Sequence, residues 1–152
     1  MPQRFLLTAS MRHYLAIFSL LLSAGCAMAA DIQVSLQGVT GSAIIRAALV
    51  DARQPQWPAT PLRIAISEGQ NQLAFTQVPA GEYAIALYQD SNGNGQLDQS
   101  LRGIPQEPVG FSNNPPLLNG KPTPAQSAFS HAEADTQMQI RLYSPAGPAL
   151  AE

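Results

Sequence analysis

The sequence has little cysteine, histidine or charge. One Cys and two His stand among 152 residues, and Asp, Glu, Lys and Arg together make up 12%. A single cysteine excludes a disulfide framework and a cysteine-based zinc site. Eight basic residues against ten acidic ones leave a net charge of −2. That balance offers no phosphate-facing basic surface, so nucleic acid is not an expected partner. No repeat at periods of about 20–50 residues is visible. Apolar residues are plentiful, at 45%, too many for a wholly disordered chain. The length fits one domain.

The N-terminal segment reads as an export signal. Arg4 and Arg12 are the only Lys, Arg, Asp or Glu residues before Asp31. An apolar centre runs from Tyr14 to Leu22, and small residues end it at Ala27-Met28-Ala29-Ala30. A positive start, a short apolar run and an A-x-A end are the parts of a secretory signal peptide. Cleavage is expected after Ala29 or Ala30, with Met11 as an alternative start. An uncleaved anchor would need about 17–25 apolar residues, a length reached only with the small-residue end included. Leu22-Ser23-Ala24-Gly25-Cys26 resembles the lipobox of bacterial lipoproteins, with Cys26 as the residue that would be lipidated. The expected location is therefore periplasmic or secreted. Membrane association follows only if Cys26 is lipidated or the signal stays uncleaved. Removing residues 1–30 leaves 6 basic and 10 acidic residues, one histidine (His131) and no cysteine.

The remainder reads as short strands and turns. Ile32, Val34 and Leu36 alternate with polar residues, the period of a half-buried strand. Ala43 to Val50 is apolar except for Arg46 and reads as a central strand. Leu62, Ile64 and Ile66 share one face of another. Leu73 to Val78, Tyr83 to Tyr88 and Met138 to Leu142 continue the series. Tyr83 and Tyr88, of opposite parity, should face opposite sides of their strand. Gln54 to Pro61 holds three prolines around Trp57 and is expected to be a loop, with Trp57 capping one end of the domain. A short helical turn is expected around Pro124 to Phe129. About seven strands with this spacing predict an all-β, antiparallel β-sandwich over 31–146, with 147–152 as a flexible tail. Leu73 to Tyr88, with Pro79-Ala80-Gly81 at its turn, resembles the hairpin of transthyretin-like sandwiches, a class of binding or structural modules. His131, in a polar stretch, is expected at the surface.

Asp90 to Asn114 is the informative segment. Asp90, Asn92, Asn94 and Asp98 fall at positions 1, 3, 5 and 9 of a calcium-loop pattern, with Gly95 at the sharp turn and the Gln96 carbonyl at position 7. Alternate oxygens can converge on one hard cation as such a chain curls. The position-12 acid is Leu101, and Glu107 can substitute only if the chain folds back. Two certain carboxylates predict weak calcium binding, at about 10⁻⁴–10⁻³ M. The alternative is an Asx-rich turn ordered without an ion. Gly103 to Pro124 then carries six prolines, with apolar anchors Ile104, Val109, Phe111, Leu117 and Leu118. Unstructured stretches of that length tend to be functional or disordered; the anchors predict packing on the sandwich.

These motifs carry a resemblance to a family. Gly81 and Tyr83, then Asp90, Asn92, Asn94, Gly95, Leu97 and Asp98, then Gly103, Pro105, Glu107, Gly110, Phe111, Ser112 and Asn113, and finally Ala128 and Phe129 look like the bacterial exported proteins grouped as domain of unknown function 2141. Gln89 stands where members often have His. The resemblance implies an exported sandwich and no particular activity. Gly110 to Asn114 lacks the G-x-S-x-G pattern of a nucleophile elbow. Three readings follow: a non-enzymatic binding or structural module meeting an unknown protein or envelope component, a lipid-anchored component of an envelope assembly, and a hydrolase using Asp90, Asp98 and Glu107. Apart from calcium, no cofactor is expected.

Overall fold

A computed structural model describes residues 29–42, 44–118 and 120–145. The expected cleavage region is described from Ala29; the candidate lipidation residue Cys26, the rest of the expected signal segment and the expected C-terminal tail lie outside the described residues. Among the described residues, eight strands form two sheets: β1 (Ala30–Gln37), β2 (Ile44–Asp51), β3 (Arg63–Glu68), β4 (Gln72–Val78), β5 (Gly81–Asp90), β6 (Val109–Phe111), β7 (Ala128–His131) and β8 (Thr136–Arg141). One sheet has the order β4-β1-β8. The other runs β3-β2-β5-β6, with β7 also paired to β5. The protein is a β-sandwich.

Alternation builds the core. Ile32, Val34 and Leu36 of β1 face Ile45, Ala47 and Leu49 of β2, joined by Phe75, Ile85, Leu87 and Ile140. Burying an Ile, Leu or Phe side chain contributes about 1.5–3 kcal/mol, so this cluster supplies most of the driving force for folding in a chain whose single cysteine allows no internal disulfide. Tyr83 joins it from the inner side of β5, packing toward Phe129; Tyr88 faces outward. The short turn around Pro124 is a 3₁₀ helix, Ala125–Ser127.

Four features differ from the pattern read in the sequence. β1 and β8 pair in parallel, while the other strand pairs are antiparallel. The Pro79-Ala80-Gly81 turn is not a hairpin: β4 pairs with β1 and β5 with β2, so the turn carries the chain from one sheet to the other. His131 is buried, because its ring ties two other strands to β7. Its Nε2–H donates to the Val78 carbonyl at 3.1 Å and its Nδ1 shares a hydrogen bond with the Thr136 hydroxyl at 2.7 Å. Finally, the apolar face of β3 points outward: Leu62, Ile64 and Ile66 are 61, 67 and 54% exposed while Ala65 and Ser67 turn inward.

Candidate functional site

β5 delivers Asp90 to the edge of the sandwich. Arg46 of β2 lies diagonal to it on the same outer face, since Ile44 is opposite Asp90 and Arg46 opposite Tyr88. Diagonal neighbours are within reach of a long side chain. The Arg46 Nε–H donates to Asp90 Oδ2 at 2.9 Å, and the Gly95 N–H reaches the same oxygen at 2.9 Å. Asp90 is 1% exposed, and its Oδ1 is buried without a hydrogen-bond partner among the described residues. The Arg46 bond chiefly holds the Asp90 carboxyl below its ordinary range, against the desolvation that pushes it up, with help from the nearby Gly95 and Gly93 amides. In the sequence Arg46 is merely the one charge inside an apolar strand; here it is the counter-ion of the loop's first acid.

The loop then closes on itself. The Asn94 N–H donates to Asn92 Oδ1 at 3.1 Å and the Gln96 N–H to Asn94 Oδ1 at 2.8 Å, two successive Asx turns. The side-chain amides of Asn92 and Asn94 donate to the two oxygens of Asp98, at 2.6 and 3.1 Å. Gly93 and Gly95 adopt φ of +74° and +78°, conformations that cost a glycine little. The Tyr88 hydroxyl donates to the Gly95 carbonyl at 2.9 Å.

Glu107 does fold back. Residues 98–106 form a small two-sided arm: the Gln106 N–H donates to the Asp98 carbonyl at 2.8 Å, Gln99 bridges Pro105, and Gly103, at φ +73°, turns the tip. This returns Glu107, buried, to accept from the Ser91 N–H at 2.8 Å and the Asp98 N–H at 3.2 Å. The carboxylate caps two loop amides that the sheets do not serve. Asp90, Asp98 and Glu107 therefore serve one loop, each with partners supplied by the chain. No three His, Cys, Asp or Glu side chains among the described residues are grouped so as to hold a metal ion.

The run from Gly110 to Asn114 is equally structural in its contacts. A Cβ on Gly110 would lie 2.9 Å from the Arg141 carbonyl oxygen and 2.9 Å from Ile140 Cγ2. Phe111 turns outward onto Trp57, with ring centroids 5.7 Å apart. Ser112 is fully buried: its Oγ accepts from the Ile85 N–H at 2.8 Å and its hydroxyl donates to the Ser127 carbonyl. Asn113 and Asn114 take φ of +64° and +45°. The Asn114 side chain then pairs with the exposed edge of β8, accepting from the Arg141 N–H at 2.8 Å and donating to the Gln139 carbonyl at 2.9 Å. This blunts a strand edge that would otherwise offer unpaired groups. Gln89, in the position before Asp90, is buried and holds Thr40 through its side-chain amide.

Two depressions border this scaffold. One, of about 300 Å³, lies over the outer face of the larger sheet between Ile64 and Phe111. The other, of about 410 Å³, lies between the 98–106 arm, Leu117 and Tyr143. Leu97, Val109, Phe111 and Lys121 line both. The Lys121 ammonium stands 5.4 Å from the centroid of the Trp57 ring, and the Trp57 Nε1–H donates to the Pro122 carbonyl at 2.6 Å. Lys121 and Arg46 escape a reading that looks only for acidic clusters. Among the anchors, Val109 and Phe111 are buried, whereas Ile104 and Leu118 are exposed.

Comparison with known proteins agrees with the motif. No curated protein and no solved structure matches the chain. The model of one bacterial family matches residues 42–139, from the start of β2 into β8 and across both loop motifs. The chain belongs to that family, described as "Uncharacterized protein conserved in bacteria (DUF2141)".

Proposed function

We propose that the chain is an exported, non-enzymatic binding or structural module of the cell envelope. On this reading the Asp90–Asn114 loop is a rigid frame for a recognition face on the outer side of the larger sheet. One observation carries it. The loop's carboxylates are engaged with Arg46, backbone amides and asparagine amides, while the surface beside them is apolar and open. A general acid or base must be able to exchange a proton with substrate, a role poorly served by groups committed in this way. An apolar surface rimmed by polar loops is the usual character of an interaction site.

Export rests on residues 1–30. Ala30 adds a structural argument for the cleavage position: it is buried in β1 and paired with Val78. Cutting after Ala29 keeps that pair, and cutting after Ala30 removes it. A tether through Cys26 is the competing form. Mass spectrometry of the protein from fractionated cells separates the forms, with Ala30 as first residue expected and a diacylglyceryl-Cys26 start supporting the tether. A photo-crosslinking residue at Ile64 should capture an envelope component, while the same residue at Gln137 on the opposite sheet should not. Cytoplasmic, uncleaved protein with no adduct at Ile64 overturns the proposal.

The unpartnered Asp90 Oδ1 favours a second reading in which the loop takes a weak calcium ion. The donors fit such an ion poorly. Arg46 already neutralises Asp90, and the Asp98 and Glu107 oxygens are held by amides. We therefore place the dry, self-bonded loop first.

A further inference from the structure

Across the larger sheet, Ile64, Ala48, Ala86 and Phe111 stand side by side on four strands: Ala48 is opposite both Ile64 and Ala86, and Ala86 is opposite Phe111. Two methyl groups between two large side chains make a trough. This is the floor of the 300 Å³ depression, which meets the 410 Å³ cleft at Leu97, Val109, Phe111 and Lys121. Volumes of this size are in the range of small-molecule sites, roughly 300–1,000 Å³.

The chemistry of the trough narrows the occupant. Its floor strands β2 and β5 are paired on both sides, so their backbone groups are largely committed to the sheet. The Tyr88 hydroxyl is bonded to Gly95. A peptide laid here would find few partners for its amides, and unpaired buried amides are costly. An aliphatic chain has no such groups to satisfy.

Charge narrows it further. Of the cations on the rim, Arg46 is neutralised by Asp90. Lys121, which lines both depressions, makes no ion pair among the described residues, and neither does Arg102 at the cleft. Glu107, the acid on the cleft wall, is turned to backbone amides. Lys121 keeps much of its surface in water, yet the partial burial of its ammonium lowers its pKa. An anion would relieve that burial cost.

We propose that this groove binds one free aliphatic carboxylate, a fatty acid, with its chain over Ala48 and Ala86 and its carboxylate at Lys121. The proposal rests on the binding-module reading above and names its ligand class.

Trp57 is the only tryptophan and touches both Phe111 and Lys121, so its fluorescence reports occupancy. The purified protein is titrated with dodecanoate, dodecyltrimethylammonium and acetate, each below its micelle concentration, with calorimetry for stoichiometry. The expected result is saturable binding of one dodecanoate, about five- to tenfold weaker binding of the cationic amphiphile, and none of acetate. Lys121→Gln should weaken dodecanoate by the same factor without moving the melting point, and Lys121→Arg should retain it. Ala86→Leu, which fills the trough, should abolish binding of both amphiphiles while the thermal transition persists. Absence of saturable dodecanoate binding, equal affinity for the two amphiphiles, binding only to anionic vesicles, or unchanged affinity in Lys121→Gln each overturns the proposal. If dodecanoate fails to bind while Ile64 still crosslinks to an envelope component, the ligand class falls and the binding-module reading stands. Loss of both fells both.

Discussion

Replacing Ser112 by alanine tests whether the Gly110–Asn114 run is scaffold. The Ser112 hydroxyl joins two elements that no sheet ladder connects: it accepts from Ile85 in β5 and donates to Ser127 at the 3₁₀ turn. All of it is buried. Alanine leaves the Ile85 N–H and the Ser127 carbonyl without that partner, and the lost hydroxyl opens too small a space for a water. A buried donor or acceptor left unpaired costs about 1–3 kcal/mol, so the two together should cost roughly 2–6 kcal/mol. In a domain of this size that lowers the melting point on the order of 10 °C. Urea unfolding followed by Trp57 fluorescence and by circular dichroism measures it. Ser130→Ala is the control: Ser130 is exposed on β7 and bonds Glu82, so its loss should stay within about 0.5 kcal/mol. A Ser112→Ala loss no larger than the control's would mean that the hydroxyl is not a structural tie and would free the serine for another role.

Other outcomes follow from the same contacts. Gly110→Ala forces a methyl against the Arg141 carbonyl and Ile140 and should cost about 1–3 kcal/mol in urea unfolding. Gly103→Ala meets nothing within 4 Å and should cost only the strain of a positive φ, about 1 kcal/mol. Arg46 holds Asp90 below its ordinary pKa, so the folded state binds fewer protons than the unfolded chain in acid. That stability is full above about pH 4 and is lost as pH falls through the folded pKa of Asp90. Asp90→Asn should flatten this part of a urea-midpoint profile between pH 7 and 2. Asp51, held at about 2 by Arg53, acts in the same direction between about pH 4 and 2, but its exposed pair should be weakened by added salt.

The architecture was legible because alternation is a direct record of burial. β1, β4 and β8 carry it and β2 and β5 read as near-continuous apolar runs, and the core draws on all five. Pairing was less legible. Pro79-Ala80-Gly81 has turn chemistry whether the flanking strands pair or part, and only the partners offered by β1 and β2 decide. β3 misleads in another way. Leu62, Ile64 and Ile66 are apolar and exposed, because small Ala65 and Ser67 fill the narrow edge of the core. His131 reads as a surface residue in the sequence because its partners, Val78 and Thr136, lie on other strands. The D-x-N-x-N-G spacing correctly marked a curled loop, but spacing does not reveal a cation brought from a neighbouring strand. Arg46 is 44 residues before Asp90, and only the β2–β5 register makes them neighbours.

The Asp90–Asp98 loop stands on its own bonds, with Arg46 as the counter-ion of Asp90. Thermal unfolding of the purified protein in millimolar calcium, and then in chelator, tests it most directly. A ligand at ten times its Kd adds about 1.4 kcal/mol to a native state that alone binds it, which is several degrees here. A self-bonded loop gives coincident melting curves in the two conditions. A calcium-dependent rise of several degrees that Asp90→Asn abolishes would contradict it and make the loop a metal site.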